Sequence, residues 1–225
     1  MDGPGNGLAT LVRHPRRGNP FGRENLSLVT NEPAVPTTVV VLCGGESRRF
    51  GSDKTRADFG GVPVLDALLS SLPSEWDVLC VGPERATART GVRWTREDPP
   101  GGGPVAGLAA ALAEVEAPVT VLLGGDMPYA GPVAVDLAAA LADVPDADAV
   151  AGVDGEGRVQ PLLAAYRTAA LRAALPREPA GTPLRRLLDG LHVQRLDVPA
   201  LASQDIDTPE DLERVRPRAK PRLAP

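Results

Sequence analysis

A glycine-rich loop follows directly on an uninterrupted β-branched run: Leu42-Cys-Gly-Gly-Glu-Ser-Arg-Arg-Phe-Gly-Ser-Asp-Lys54. The paired Gly44 and Gly45 let a backbone turn tightly and bring its N–H groups up to an anion with no Cβ in the way. Arg48, Arg49 and Lys54 add positive charge and Ser47 a neutral donor, so this loop suits the holding of a phosphate chain. Of 24 basic residues only Lys54 and Lys220 are lysine. An ammonium sits as a point charge between phosphate oxygens, where a planar guanidinium does not fit. Two common phosphate loops are excluded by spacing. Gly44, Gly45 and Gly51 do not form Gly-x-Gly-x-x-Gly, and Ser52 and Asp53 separate Gly51 from Lys54 where a P-loop needs Gly-Lys.

Two further segments have chemical potential. Glu97-Asp98-Pro-Pro-Gly-Gly-Gly-Pro104-Val-Ala-Gly-Leu108 reads as a glycine-rich turn feeding a helix. The free N–H groups of such a helix start face an anion or the edge of a base. Val121-Leu-Leu-Gly-Gly-Asp126-Met-Pro128 puts a carboxylate at the end of an apolar strand. A hard cation such as Mg²⁺ uses one or two carboxylates together with substrate phosphates, which makes Asp126 the candidate metal ligand. Neither His14 nor His192 has a partner at metal-ligand spacing, and Cys43 and Cys80 lie in apolar runs suited to inert core thiols.

The elements that must position these residues alternate along the chain. Strands are expected at Thr37 to Cys43, Trp76 to Val81, Gly91 to Thr95, Pro118 to Leu123, Ala147 to Val153, Pro161 to Tyr166 and Val193 to Leu196. Helices are expected at Pro63 to Leu72, Pro104 to Val115, Pro132 to Ala142, Ala169 to Leu175, Thr182 to Leu188 with Thr182 as cap, and from Thr208 with Pro209 in its first turn. This alternation predicts an α/β fold: a single Rossmann-like, three-layer domain whose mostly parallel sheet, built with right-handed crossovers, is covered by helices. Ligands of such sheets bind beyond the C-terminal ends of strands, where the loops after Cys43 and Leu123 lie. Residues 1–36, rich in Gly, Pro and Arg without periodicity, read as a disordered N-terminal extension, 37–215 as the folded domain and 216–225 as a flexible tail.

The first loop resembles the signature of the molybdenum cofactor guanylyltransferases, within the sugar-nucleotidyltransferase-like superfamily: Leu-x-Gly-Gly-x-Ser-x-Arg-x-Gly-x-Asp-Lys. The second is similar to that family's Asp-x-x-x-x-x-Gly-Pro-Leu-Ala-Gly stretch, and the third to its Cys-Asp-x-Pro, with Gly125 in place of Cys. The resemblance spans about Thr38 to Val215. It implies nucleotide contacts from Leu42, Cys43, Gly44, Gly45, Lys54, Asp98, Gly103, Pro104 and Asp126, with backbone contacts running on to Gly107. It implies catalytic roles for Lys54, Arg49 and Asp126, with Mg²⁺ on Asp126. Gln160-Pro161 and Asp207, in Asp205-Ile-Asp207-Thr-Pro-Glu-Asp-Leu212, match weaker segments on the acceptor side, Asp207 standing where Asn is common. An Asp accepts hydrogen bonds without donating them, which bears on any amide contact to a pterin.

What the resemblance implies is transfer of GMP from GTP to a phosphorylated acceptor, molybdopterin or the molybdenum cofactor, with release of pyrophosphate. A cytidylyltransferase on the same or another phosphorylated acceptor, or a non-catalytic nucleotide-binding module, are the alternatives. Transient contacts with other proteins of cofactor synthesis or molybdoenzyme maturation are also expected. The net charge of −5 speaks against nucleic-acid binding by overall charge. With no apolar run of membrane-spanning length and no secretory signal, no membrane partner is expected and a cytoplasmic location is. Deleting residues 1–30 should leave the melting temperature unchanged; a truncated protein that aggregates or melts well below the parent would show that the extension belongs to the fold.

Overall fold

The computed structural model describes residues 35–45 and 50–217, so the expectations for residues 1–34, for Ser47, Arg48 and Arg49, and for 218–225 lie outside the described residues. The described residues from Pro36 onward form one body. Its centre is β1 (Thr37–Leu42) beside β4 (Val119–Gly124), paired in parallel from Thr37↔Val119 to Leu42↔Gly124. The apolar runs of both strands are buried on the two faces, as interior parallel strands require. β2 (Asp77–Val81) and β3 (Arg93–Thr95) extend the sheet on one side of β1. Beyond β4 lie β6 (Val159–Arg167), β5 (Ala149–Val153) and β7 (Val193–Asp197), giving the order β3-β2-β1-β4-β6-β5-β7.

Alternation along each strand sorts side chains into two layers. Val39, Val41, Val121 and Leu123 pack under α1 (Val64–Ser70) and α3 (Ala130–Asp143). Val40, Leu79 and Leu122 face α2 (Pro104–Glu114) and α4 (Thr168–Ala173) on the other side. Valine, leucine and alanine dominate both layers, as the scarcity of aromatics requires.

The sheet is mostly parallel, as the sequence reading expects; among the described strands β6 alone runs antiparallel, to both β4 and β5, because only a short turn joins it to β5 and a hairpin must reverse direction. The structure departs from that reading in two places. The crossovers β1-α1-β2 and β4-α3-β5 lead opposite ways across the sheet, yet both helices cover the same face. Their hands therefore differ, and uniform right-handedness does not hold once β6 separates β4 from β5. Thr182 to Leu188 is not a capped α-helix: a 3-10 helix spans Leu184–Leu188 behind Pro183, and the Thr182 hydroxyl donates to the Glu178 carbonyl instead.

Arginines close the C-terminal ends of three helices. Arg89 donates to the carbonyls of Leu69, Leu72, Pro73, Ser74 and Trp76 beyond α1. Arg172 holds Leu112 and Val115 at the end of α2, and Arg167 holds Leu141, Val144 and Ala147 after α3. The planar fork serves several carbonyls at once, and its charge complements the helix dipole. Arg89→Ala should lower the melting temperature by about 4–8 °C, the shift expected when a loss of about 2 kcal/mol falls on a domain of this size. Arg89→Lys should recover only part of it, as a thermal melt of the two variants will show.

Candidate functional site

The loops after β1 and β4 leave the sheet side by side. The Cys43 amide donates to the Val81 carbonyl and the Gly125 amide to that of Leu42, both at 2.9 Å, so Leu42-Cys43-Gly44 is clamped between the ends of β2 and β4. A cleft of about 840 Å³ opens there, within the size range of small-molecule sites, roughly 300–1,000 Å³. Leu42, Cys43, Gly44, Gly45, Gly103, Pro104 and Gly107, all expected from sequence, line it. α2 begins at Pro104 with no side-chain cap, so its N-terminus meets the cleft. Asp98 is exposed and does not line the cleft; its half-buried neighbour Glu97 does, accepting from the Gly101 amide at 2.9 Å.

At Asp53 the cleft reaches within one residue of Lys54. The Lys54 ammonium is 2.6 Å from Asp126 Oδ2 and 2.7 Å from Asp207 Oδ1. Burial by itself would lower the pKa of Lys54, but the Asp126 carboxylate and the hydrogen bonds to Asp126 and Asp207 offset this and hold it above the ordinary value. The lysine is therefore charged throughout the neutral range. Asp205 joins the two aspartates, with carboxylate oxygens of all three within 4.8 Å of one another. Although Asp205 presents much of its surface to solvent, its carboxyl is pushed up, by partial desolvation and by the negative Asp126 and Asp207 beside it. Three acidic oxygen donors crowded against one ammonium are a donor set suited to a hard divalent cation.

Asp207 thus belongs with the acidic cluster, and Asp205 was missed by the sequence reading. The alternation Asp205-Ile206-Asp207 was the available signal, because a fully buried Ile206 between two polar residues sends both carboxylates away from the core. A small separate core puts them in place: Phe59, Val64, Ile206, Leu212 and Val215 pack together, with Phe59 edge-on to Tyr129 at 5.4 Å. Tyr129 donates to the Val215 carbonyl, and the Ile206 amide donates to the Asp126 carbonyl at 3.1 Å. The following helix α5 (Pro209–Val215) starts with a reciprocal Thr208/Asp211 capping box.

Gln160 and Pro161 start β6, whose antiparallel course brings them to the same end of the sheet as Gly124. The Gln160 amide is held by Asp154 at 2.7 Å. His192 precedes β7 at the opposite end, its Nδ1 2.8 Å from the Asp146 carbonyl. Both cysteines are free and buried; a hydrogen bond to Cys43 and desolvation push the Cys80 thiol far up, which keeps it protonated and inert. Among the described residues no helix is long and apolar enough to cross a membrane.

Gly124 has a specific reason to lack a side chain: a Cβ there would lie 2.6 Å from Asp126 Oδ1. Gly124→Ala should therefore push the carboxylate aside while the fold persists, since that oxygen ends a movable side chain. A titration of the melting temperature with MgCl₂ or MnCl₂ should show a smaller rise than for the parent. An equal rise would mean that Asp126 takes no part in cation binding.

The profile of the MobA-like NTP transferase domain matches residues 39–197. A curated relative from Natronomonas pharaonis, named "Probable molybdenum cofactor guanylyltransferase", is 35% identical over 202 residues, which cover 80% of this chain and 97% of the relative. The solved structure of molybdopterin-guanine dinucleotide biosynthesis protein A from Archaeoglobus fulgidus superposes with a TM-score of 0.65 at 25% identity, covering 80% of this chain and 96% of that one. A 2-C-methyl-D-erythritol 4-phosphate cytidylyltransferase from Thermus thermophilus shares the fold, with a TM-score of 0.60 at 20% identity over 79% of this chain and 96% of that one.

Proposed function

Because the chain belongs to the MobA-like NTP transferase family, we propose that it is a molybdenum cofactor guanylyltransferase, joining GMP from GTP to the terminal phosphate of molybdopterin or of the cofactor built on it. The observation that carries this reading is the convergence of Lys54, Asp126, Asp205 and Asp207 beside a cleft that ends at Asp53. A nucleoside triphosphate laid with its base between Leu42–Gly44 and the start of α2 has its phosphates at Lys54. Asp126 and Asp207, with Asp205 alongside, would hold Mg²⁺, which would supply the charge neutralisation that a triphosphate needs.

The acceptor phosphate oxygen attacks the α-phosphorus, the bond to the β-phosphate oxygen breaks, and pyrophosphate leaves. The nucleophile is already ionised near neutral pH, so no general base is required. This agrees with a cleft whose described lining contains no histidine. The chain's own residues contribute alignment and charge: Lys54 trades its carboxylate partners for phosphate oxygens, and Arg49 adds a second cation from the same loop. Gln160 and Pro161 border the acceptor side, where the bond from Gln160 to Asp154 fixes the amide's orientation. Of the acidic pair in the second segment, Glu97 rather than the exposed Asp98 borders the nucleotide. The protein works in the cytoplasm, without nucleic acid or membrane, and passes its product on through transient contacts with cofactor-handling proteins.

Lys54→Ala should reduce kcat/KM for pyrophosphate release with GTP and molybdopterin by about 10- to 150-fold, the equivalent of one charge-assisted contact of roughly 1.5–3 kcal/mol. Lys54→Arg should restore only part of this. Steady-state kinetics with GTP and CTP in parallel checks both the residue and the nucleotide. Wild-type turnover in a folded Lys54→Ala protein removes the lysine from the mechanism, and preference for CTP turns the reading into cytidylyl transfer.

A further inference from the structure

The turn that carries Lys54 is only three residues long, Lys54–Arg56. A 3-10 turn of this length has no stability of its own, so something outside it must fix its position. Asp53 caps it, accepting from the Thr55 amide at 3.1 Å and from the Thr55 hydroxyl at 2.6 Å. Both residues are in turn held by Arg85, from the segment after β2. One guanidinium nitrogen donates to Asp53 Oδ2 and the other to the Thr55 hydroxyl. The guanidinium carbon lies over the Trp94 ring of β3, 5.4 Å from its centroid. Only 9% of the Arg85 side chain is exposed.

Each feature of this arrangement needs an arginine. Two donors in a fixed plane reach a carboxylate and a hydroxyl together, while the delocalised charge lies over an indole ring. Desolvation alone would raise the Asp53 carboxyl, but the Thr55 hydroxyl and the Arg85 charge outweigh it and hold the group below its usual range, so the cap is ionised at neutral pH. The bracket spans the sheet edge at β3, the end of β2 and the loop after β1. Across the site, Lys54 reaches Asp126 and Asp207.

We propose that Arg85 is a positioning residue for nucleotidyl transfer: braced on Trp94, it holds Asp53 and Thr55 in the turn that delivers Lys54 to the acidic cluster and the triphosphate. The inference rests on the reading of Lys54 as a phosphate ligand and assigns Arg85 no contact with the nucleotide. Its signature is loss through Lys54 alone.

Two measurements test it. The first is a double-mutant cycle on kcat/KM with GTP and molybdopterin, using Arg85→Ala, Lys54→Ala and the pair. Arg85→Ala should lower kcat/KM by about 5- to 30-fold, within the range of coupled contacts. The double variant should be no more than about twofold worse than Lys54→Ala. Losses that multiply, or wild-type kinetics in folded Arg85→Ala, overturn the proposal. The second uses the fact that Lys54 and Lys220 are the only lysines. In ¹⁵N-lysine-labelled protein, the paired Lys54 ammonium should give a resonance distinct from that of Lys220, assigned by its loss in Lys54→Arg. Arg85→Ala should move it toward the Lys220 position; an unmoved resonance overturns the proposal even where activity falls. Should Arg85→Ala fail to fold, Arg85→Lys and Asp53→Asn replace it in both arms. A wild type that turns over no nucleotide would sink guanylyl transfer, and the resonance would still decide whether Arg85 places Lys54.

Discussion

One ammonium between two carboxylates holds the site together. Lys54 contacts Asp126 at the end of the central strand β4 and Asp207 ahead of the last helix, so three distant stretches of sequence meet at a single nitrogen. The three aspartates around it repel one another, and without a cation among them they would separate. The lysine supplies that cation in the free protein. In the proposed reaction the triphosphate would engage the ammonium, and the three carboxylates would then hold a divalent ion that neutralises them.

The rest of the fold can be read as a frame for that contact. The buried register of β1 against β4 fixes Leu42 opposite Gly124, and hence the loop of Lys54 beside the loop of Asp126. The separate Phe59/Ile206/Val215 core closes the remaining distance by docking the C-terminal helix against the segment after Lys54. Arg85 and Trp94 brace the lysine's turn from the opposite edge. The site thus lies between a large two-layer core and a small third core that brings in the last carboxylates.

Lysine and arginine do different work in this chain. Arg89, Arg167 and Arg172 each gather several carbonyls at a helix end, a task suited to a flat multi-donor group. Lys54 alone among the described cations sits between two carboxylates of the acidic cluster, where a compact charge fits. A composition tilted so far toward arginine still keeps a lysine where the geometry asks for a point charge.

The glycine loop, the strand-end aspartate and the alternation of strands with helices were legible in the sequence, because each is a local pattern: a backbone without Cβ atoms, a carboxylate after an apolar run, a period of two or of 3.6. So was the start of α5, with Pro209 in its first turn. The reversal of β6 left its sign only in the short connection from Val153 to Val159, since a strand's apolar pattern is the same in either direction. The grouping of Asp205 and Asp207 with Asp126 was not legible, because it depends on Ile206 entering a core whose other members lie far away in sequence. Nor did spacing reveal that Glu97 rather than Asp98 faces the cleft, or that Arg85 reaches the Lys54 turn. Sequence by itself determined which residue types stood ready for phosphate and cation. Only the tertiary structure decided which of them meet, because electrostatic contacts between distant segments exist only where packing carries those segments together.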